Sequence, residues 1–169
     1  MAEQEQGSGA RDPAPHGNAP GAAPADAWYF AVRLGDGRYA FAAPLVTEVV
    51  RLGPLTRLPA APSFLPGVVT HRGEILPVLD LGDLLLRRPC DPRPGARAAL
   101  VQAGPWWVAV VPDGIEGLVP LRARNLGPPP EGHGASEFLE AVAVHDAGDV
   151  GIVDLPRLVA AARARSVAA

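Results

Sequence analysis

Residues 68–81 read VVTHRGEILPVLDL. Val68-Val69 and Ile75 to Leu81 are two apolar runs, and a polar knot of Thr70, His71, Arg72, Gly73 and Glu74 separates them. Glycine takes a positive φ without steric cost, so the pattern predicts two strands around a tight turn at Gly73. Pro77 interrupts the second run. It has no N–H for a ladder, which predicts an edge or a bulge at that point. Asp80 ends the strand and is placed to cap a short helical turn over 81–86.

The same phrase recurs weakly near the other end of the chain. EILPVLDLGDLL (74–85) resembles VGIVDLPRLV (150–159): a strand of Ile, Val and Leu ends in Asp-Leu and runs into a helix. Asp154 takes the place of Asp80. Two related lobes, each ending strand–Asp–helix, are expected.

The other predicted elements are short. WYFAVRL (28–34), the turn Gly35-Asp36-Gly37 and RYAFA (38–42) read as a β-hairpin. Pro44 suits the first turn of a short helix over PLVTEVV, which sets Val46 and Val49 one turn apart on one face. AALVQA (98–103), PWWVAVV (105–111) and GIEGLVPL (114–121) read as strands, and AVAVHD (141–146) with VGIVDL (150–155) as a hairpin. Trp106 and Trp107 are adjacent, so in a strand one faces the core and the other is an exposed interface candidate. Residues 156–165 close with an amphipathic helix, Leu158 and Val159 inward. Many short strands and few helices predict a mainly β fold of two small barrels.

Composition excludes several classes. Of 169 residues, 48 % are hydrophobic and the formal net charge is −3. No basic stripe is present to neutralise phosphates, so nucleic acid is not an expected partner. All 15 basic residues are Arg, which removes a lysine Schiff base and a P-loop lysine. Cys90 is the one cysteine, and no histidine has metal-ligand spacing with it. No nucleotide loop or hydrolase elbow occurs, and no cofactor is expected. There is no apolar run near the roughly 20 residues that span a bilayer. The N-terminus lacks the pattern of a secretory signal, so a cytoplasmic protein without membrane insertion is expected. Residues 1–26, rich in Ala, Gly and Pro, read as a disordered tail, and 27–166 as the ordered domain.

Taken together, residues 28 to about 160 resemble the CheW family, the adaptors of bacterial chemosensory arrays. The most specific match is GVVTHRGEILPVLDL (67–81), similar to the family pattern G-V-I-N-L-R-G-x-I-x-P-V-x-D-L. WVAVVPDGIEGLVPL (107–121) and GIVDLPRLV (151–159) support it. The resemblance implies two SH3-like five-stranded β-barrel lobes, roughly 38–90 and 97–155, with short helices and a C-terminal helix. It implies no enzymatic activity. The implied partners are the regulatory domain of a CheA-type histidine kinase, the chemoreceptor tip and other CheW-like proteins.

The resemblance also assigns candidate residues. Its matching arginine, here Arg72, lies near a glutamate, here Glu48, and the two are expected to pair and frame a receptor groove. Val46, Val49 and Val69 are candidates to line that groove. Val110, Asp113 and Gly114 form the candidate kinase-binding surface. Gly73, Pro77, Asp80 and Asp154 are structural. His71 stands where the family usually has an apolar residue, and only a local solvent contact is expected of it. The alternatives are a stand-alone, kinase-regulatory-domain-like decoy, and an enzyme or small-molecule binder whose pocket gathers polar groups.

Overall fold

The computed structural model describes residues 26–130, 136–144 and 148–167. Of the expected tail over 1–26 all but Asp26 lies outside them, as do His145, Asp146 and Ala147 of the expected hairpin over 141–155. Eleven strands and two α-helices follow in order. They are β1 (Ala27–Leu34), β2 (Gly37–Ala42), β3 (Val46–Arg51), β4 (Gly67–His71), β5 (Glu74–Asp80), α1 (Leu81–Leu86), β6 (Arg97–Ala103), β7 (Trp106–Val111), β8 (Gly114–Leu121), β9 (Leu126–Gly127), β10 (Leu139–Ala143), β11 (Val150–Val153) and α2 (Leu155–Val167).

The strands form two sheets. One is five-stranded, in the order β3-β6-β7-β5-β4; the other is six-stranded, β8-β1-β2-β11-β10-β9. The mainly β architecture read from the sequence is therefore present, with open sheets in place of hydrogen-bonded closed barrels. The sheets also divide the chain differently from the lobes expected over 38–90 and 97–155. β6 and β7 belong with β3–β5, and β2 belongs with β8–β11.

Alternation along the strands explains three apolar clusters. In β6, Ala98 and Leu100 join Leu52, Val69, Leu76, Val78, Ala109 and Val111 inside the five-stranded sheet. Ala99, Val101 and Ala103 point the other way, into a larger core shared with Phe30, Val32 and Leu34 of β1 and with both helices. Ala31, Ala40, Val150 and Ile152 fill the six-stranded sheet. Central strands buried on both faces read as unbroken apolar runs, which is why β6 and β7 show little alternation in sequence.

The internal repeat is real. Asp80 N donates to Phe64 O at 2.8 Å, and Asp154 N donates to Phe138 O at 2.9 Å. The Asp80 carboxylate accepts from Asp83 N and the Asp154 carboxylate from Arg157 N, each at 3.0 Å. Both aspartates are helix N-caps, as expected. Asp80 does more. It also accepts from Cys90 N at 2.8 Å and is buried, and burial pushes its carboxyl above the usual range.

Two local expectations are corrected. Residues 43–45 form one 3-10 turn with Pro44 near its start, and the chain then becomes strand β3. β-Branched Val46, Thr47, Val49 and Val50 favour the pleat over a helix. A bulge between Val46 and Glu48 sets Val46 opposite Val101 and Val49 opposite Ala99, so the two valines still share one face, but of a strand and not of a helix. Pro77 is neither on an edge strand nor in a bulge, because β5 is paired on both sides in regular register. Its partner Val68 spends its N–H and C=O on Thr56, so the Val68–Pro77 pair needs no hydrogen bond. On the other side, pairing with β7 begins only at Val78. No helix among the described residues is long and apolar enough to cross a membrane.

Candidate functional site

β3 and β4 are the two edge strands of the five-stranded sheet. Each would leave unpaired backbone groups exposed. At one end the chain beyond β3 closes the gap with backbone: Thr56 and Val68 exchange two N–H···O bonds, each 2.9 Å. At the other end side chains close it. Arg72 Nη2 donates to Glu48 Oε2 at 2.7 Å, and His71 Nε2 lies 2.7 Å from Glu48 Oε1.

Local structure places each of these groups. Arg72 and Gly73 both have positive φ, 50° and 87°, which is the two-residue hairpin turn whose twist matches its strands. That turn swings Arg72 over the edge. Glu48 sits opposite Leu100 of β6 and so points at the mouth of the small core inside the sheet. His71 shares the β4 face of buried Val69. Trp107 shares the β7 face of Ala109, and its ring meets that of His71 edge-on at 6.0 Å. The mouth is thus plugged by Glu48, His71 and Trp107, with Arg72 as an exposed outer clamp.

The plug is not fully satisfied. Trp107 Nε1 is buried without a hydrogen-bond partner among the described residues, and the His71 ring nitrogen is out of line for a full hydrogen bond to Glu48. The His71 contact is therefore a close approach to Glu48 and not a hydrogen bond. The solvent contact expected of His71 is replaced by a structural one.

The expected Glu48–Arg72 pair is present. Val46 packs against the shared core, and Val49, on the same face of β3 opposite Ala99, is exposed. Val69 is 5 % exposed, so it faces the small core and not a groove. Val110 is fully buried in the shared core and offers no surface.

Asp113 and Gly114 lie at the β7–β8 turn. Asp113 Oδ2 accepts from Gly35 N and from Arg88 Nη1, both at 2.6 Å. One carboxylate therefore ties the β7–β8 turn, the β1–β2 turn and the connector after α1. Burial pushes the Asp113 carboxyl up, but the Gly35 N–H and the Arg88 guanidinium outweigh it and hold it below the usual range. Arg88 and Gly35 are contributions that sequence reasoning missed, and no local pattern announces a contact across 78 residues. Nearby Cys90 is half-buried. Burial, with Asp80 and Asp113 close by, pushes its thiol up and away from thiolate chemistry. Among the described residues no cluster of three His, Cys, Asp or Glu has the geometry to hold a metal.

Known proteins are similar to this chain in sequence and in fold. The CheW-like domain model matches residues 29–163. Protein FrzA of Myxococcus xanthus is 38 % identical over 144 residues, covering 83 % of this chain and 89 % of that protein. A probable chemotaxis protein CheW of Rhizobium etli is 28 % identical over 101 residues, 60 % of this chain and 65 % of that protein. The crystal structure of the scaffolding protein TtCheW from Thermoanaerobacter tengcongensis has the same fold. Its TM-score is 0.67 at 24 % identity, over 79 % of this chain and 92 % of that one. With the edge-closing Glu48–Arg72 pair, the two strand–Asp–helix repeats and a family match over most of its length, the chain belongs to the CheW-like domain family.

Proposed function

We propose that this protein is a non-enzymatic cytoplasmic adaptor that couples the signalling tips of chemoreceptors to a CheA-type histidine kinase. The observation that carries the reading is the family match over 29–163, with relatives named as chemotaxis and scaffolding proteins. The site chemistry agrees with binding. The Glu48–Arg72 corner is a shaped, charged rim beside exposed Val49, suited to a protein surface and lacking a nucleophile–base pair. Val46, Glu48, Val49 and Arg72 form the receptor-facing set, and Asp113-Gly114 the kinase-facing turn. Val69 and Val110 act from the core, by holding the strands that carry these residues.

The test is a pull-down of the purified protein with CheA-type kinases and receptor signalling tips, wild type beside Arg72→Ala. Wild type is expected to retain both partners. Arg72→Ala is expected to stay folded and to lose the receptor tip at least tenfold. A folded wild type that retains neither partner would overturn the adaptor function.

A further inference from the structure

The face of the five-stranded sheet that turns away from Glu48 carries a second feature. Pro77 and Leu79 of β5, Trp106 and Val108 of β7, and Val159 and Ala162 of α2 line an apolar cavity of about 230 Å³. It is open to solvent, and its rim is apolar as well: Trp106 is 37 % exposed, Ile75 70 % and Val167 80 %. Ile75, Pro77 and Leu79 share one face of β5, so the cavity continues as a stripe along that strand.

One charge overlooks it. The Arg163 guanidinium lies over the Trp106 ring, 4.2 Å from its centroid, at the mouth of the cavity. Among the described residues it has neither a carboxylate partner nor a hydrogen bond, whereas Arg38, Arg72, Arg88 and Arg165 each have a carboxylate. Stacking on the ring fixes its plane and leaves its edge donors free for a carboxylate.

We propose that this groove is a docking site for a separate polypeptide segment carrying one bulky apolar side chain and, about one helical turn away, a carboxylate. The apolar side chain fills the cavity and the carboxylate meets Arg163. The size favours a side chain over a cofactor, because small-molecule pockets run from about 300 to 1,000 Å³. The charge favours an acidic partner. The chain's own N-terminal segment is a poor occupant, since residues 2–25 contain no Val, Leu, Ile, Phe, Tyr or Trp. The site is independent of the Glu48 corner and does not rest on the adaptor reading.

The test uses the full-length, ¹⁵N-labelled protein and follows its tryptophan indole N–H resonances, with Trp106 assigned through Trp106→Phe. The probe is a capped helical Ala/Gln peptide bearing one Leu and one Glu four positions apart. A saturable shift of the Trp106 resonance is expected, with Kd on the order of 1 mM or below. Arg163→Gln, an exposed change that leaves the core intact, is expected to weaken binding about tenfold, as is Glu→Gln in the peptide. Leu→Ala in the peptide is expected to abolish it. The proposal is overturned by the absence of a saturable shift at several millimolar peptide, or by equal affinity of wild type and Arg163→Gln. It is also overturned if the Trp106 resonance moves with protein concentration alone, which would assign the groove to a second copy of the chain.

Discussion

Glu48 on β3 and Arg72 in the β4–β5 turn stand 2.7 Å apart, and their contact joins the two free edges of one sheet. Backbone bonds at Thr56 and Val68 make the same closure at the opposite end. The corner is thus a fastening as well as a surface, and the two roles separate by residue. Arg72 is 74 % exposed at its side chain, while Glu48 and His71 are mostly covered.

That difference predicts unequal costs. Arg72→Ala removes an exposed ion pair and should lower stability by about 0.5 kcal/mol. Glu48→Ala removes both contacts and leaves the His71 ring nitrogen facing nothing, at about 1–2 kcal/mol. Urea unfolding of the two variants measures this. Equal midpoints would mean that the His71 contact contributes nothing to closing the edge.

The two capping aspartates should also differ, although their local sequences match. Asp154→Ala removes one cap bond at a surface helix and should cost about 1 kcal/mol. Asp80→Ala leaves the buried N–H of Asp83 and the half-buried N–H of Cys90 without an acceptor, and should cost about 2–4 kcal/mol. Thermal and urea unfolding would check it. A milder Asp80→Ala than Asp154→Ala would show that the connector at Cys90 is not held by this carboxylate.

Gly82 offers a test in which propensity and packing oppose each other. It sits inside α1, where alanine ordinarily gains up to about 1 kcal/mol. A Cβ there would collide with Arg88 O and with Cys90 Sγ. Gly82→Ala should therefore destabilise, by about 1–3 kcal/mol, as overpacking does. A stabilised variant in equilibrium unfolding would show that the connector yields easily.

Much of this fold was legible, for physical reasons. The Gly73 turn, the Asp80 and Asp154 caps and the inward Leu158 and Val159 all depend on residues within a few positions of one another. The Glu48–Arg72 pair came from family resemblance and not from spacing. What the sequence hid is long-range. Nothing local tells Val110 that its face is interior, because β7 is buried on both sides and lacks alternation, and the adjacent Val68-Val69 of β4 do not tell which valine turns inward. Val46–Val50 carries apolar spacing compatible with either a helix or a strand, and pairing with β6 decided for the strand. Pro77 read as an edge signal, yet a central strand tolerates it where the adjoining ladder has not begun.

The carboxylate of Asp113 makes the last prediction, a dependence on pH. Its folded-state pKa lies below its unfolded value. Its contribution is thus complete above the ordinary carboxylate range, and it is lost as pH falls through the folded value. Asp113→Asn keeps an acceptor for Gly35 N but gives up the charge that Arg88 needs. Wild type should exceed Asp113→Asn in stability by a constant margin from about pH 6 to 8, and the margin should shrink below about pH 4. Urea midpoints across that series read the difference directly. A margin that stays unchanged to pH 3 would show that the carboxylate charge does not hold the three segments together, and would leave the Gly35 hydrogen bond as their tie.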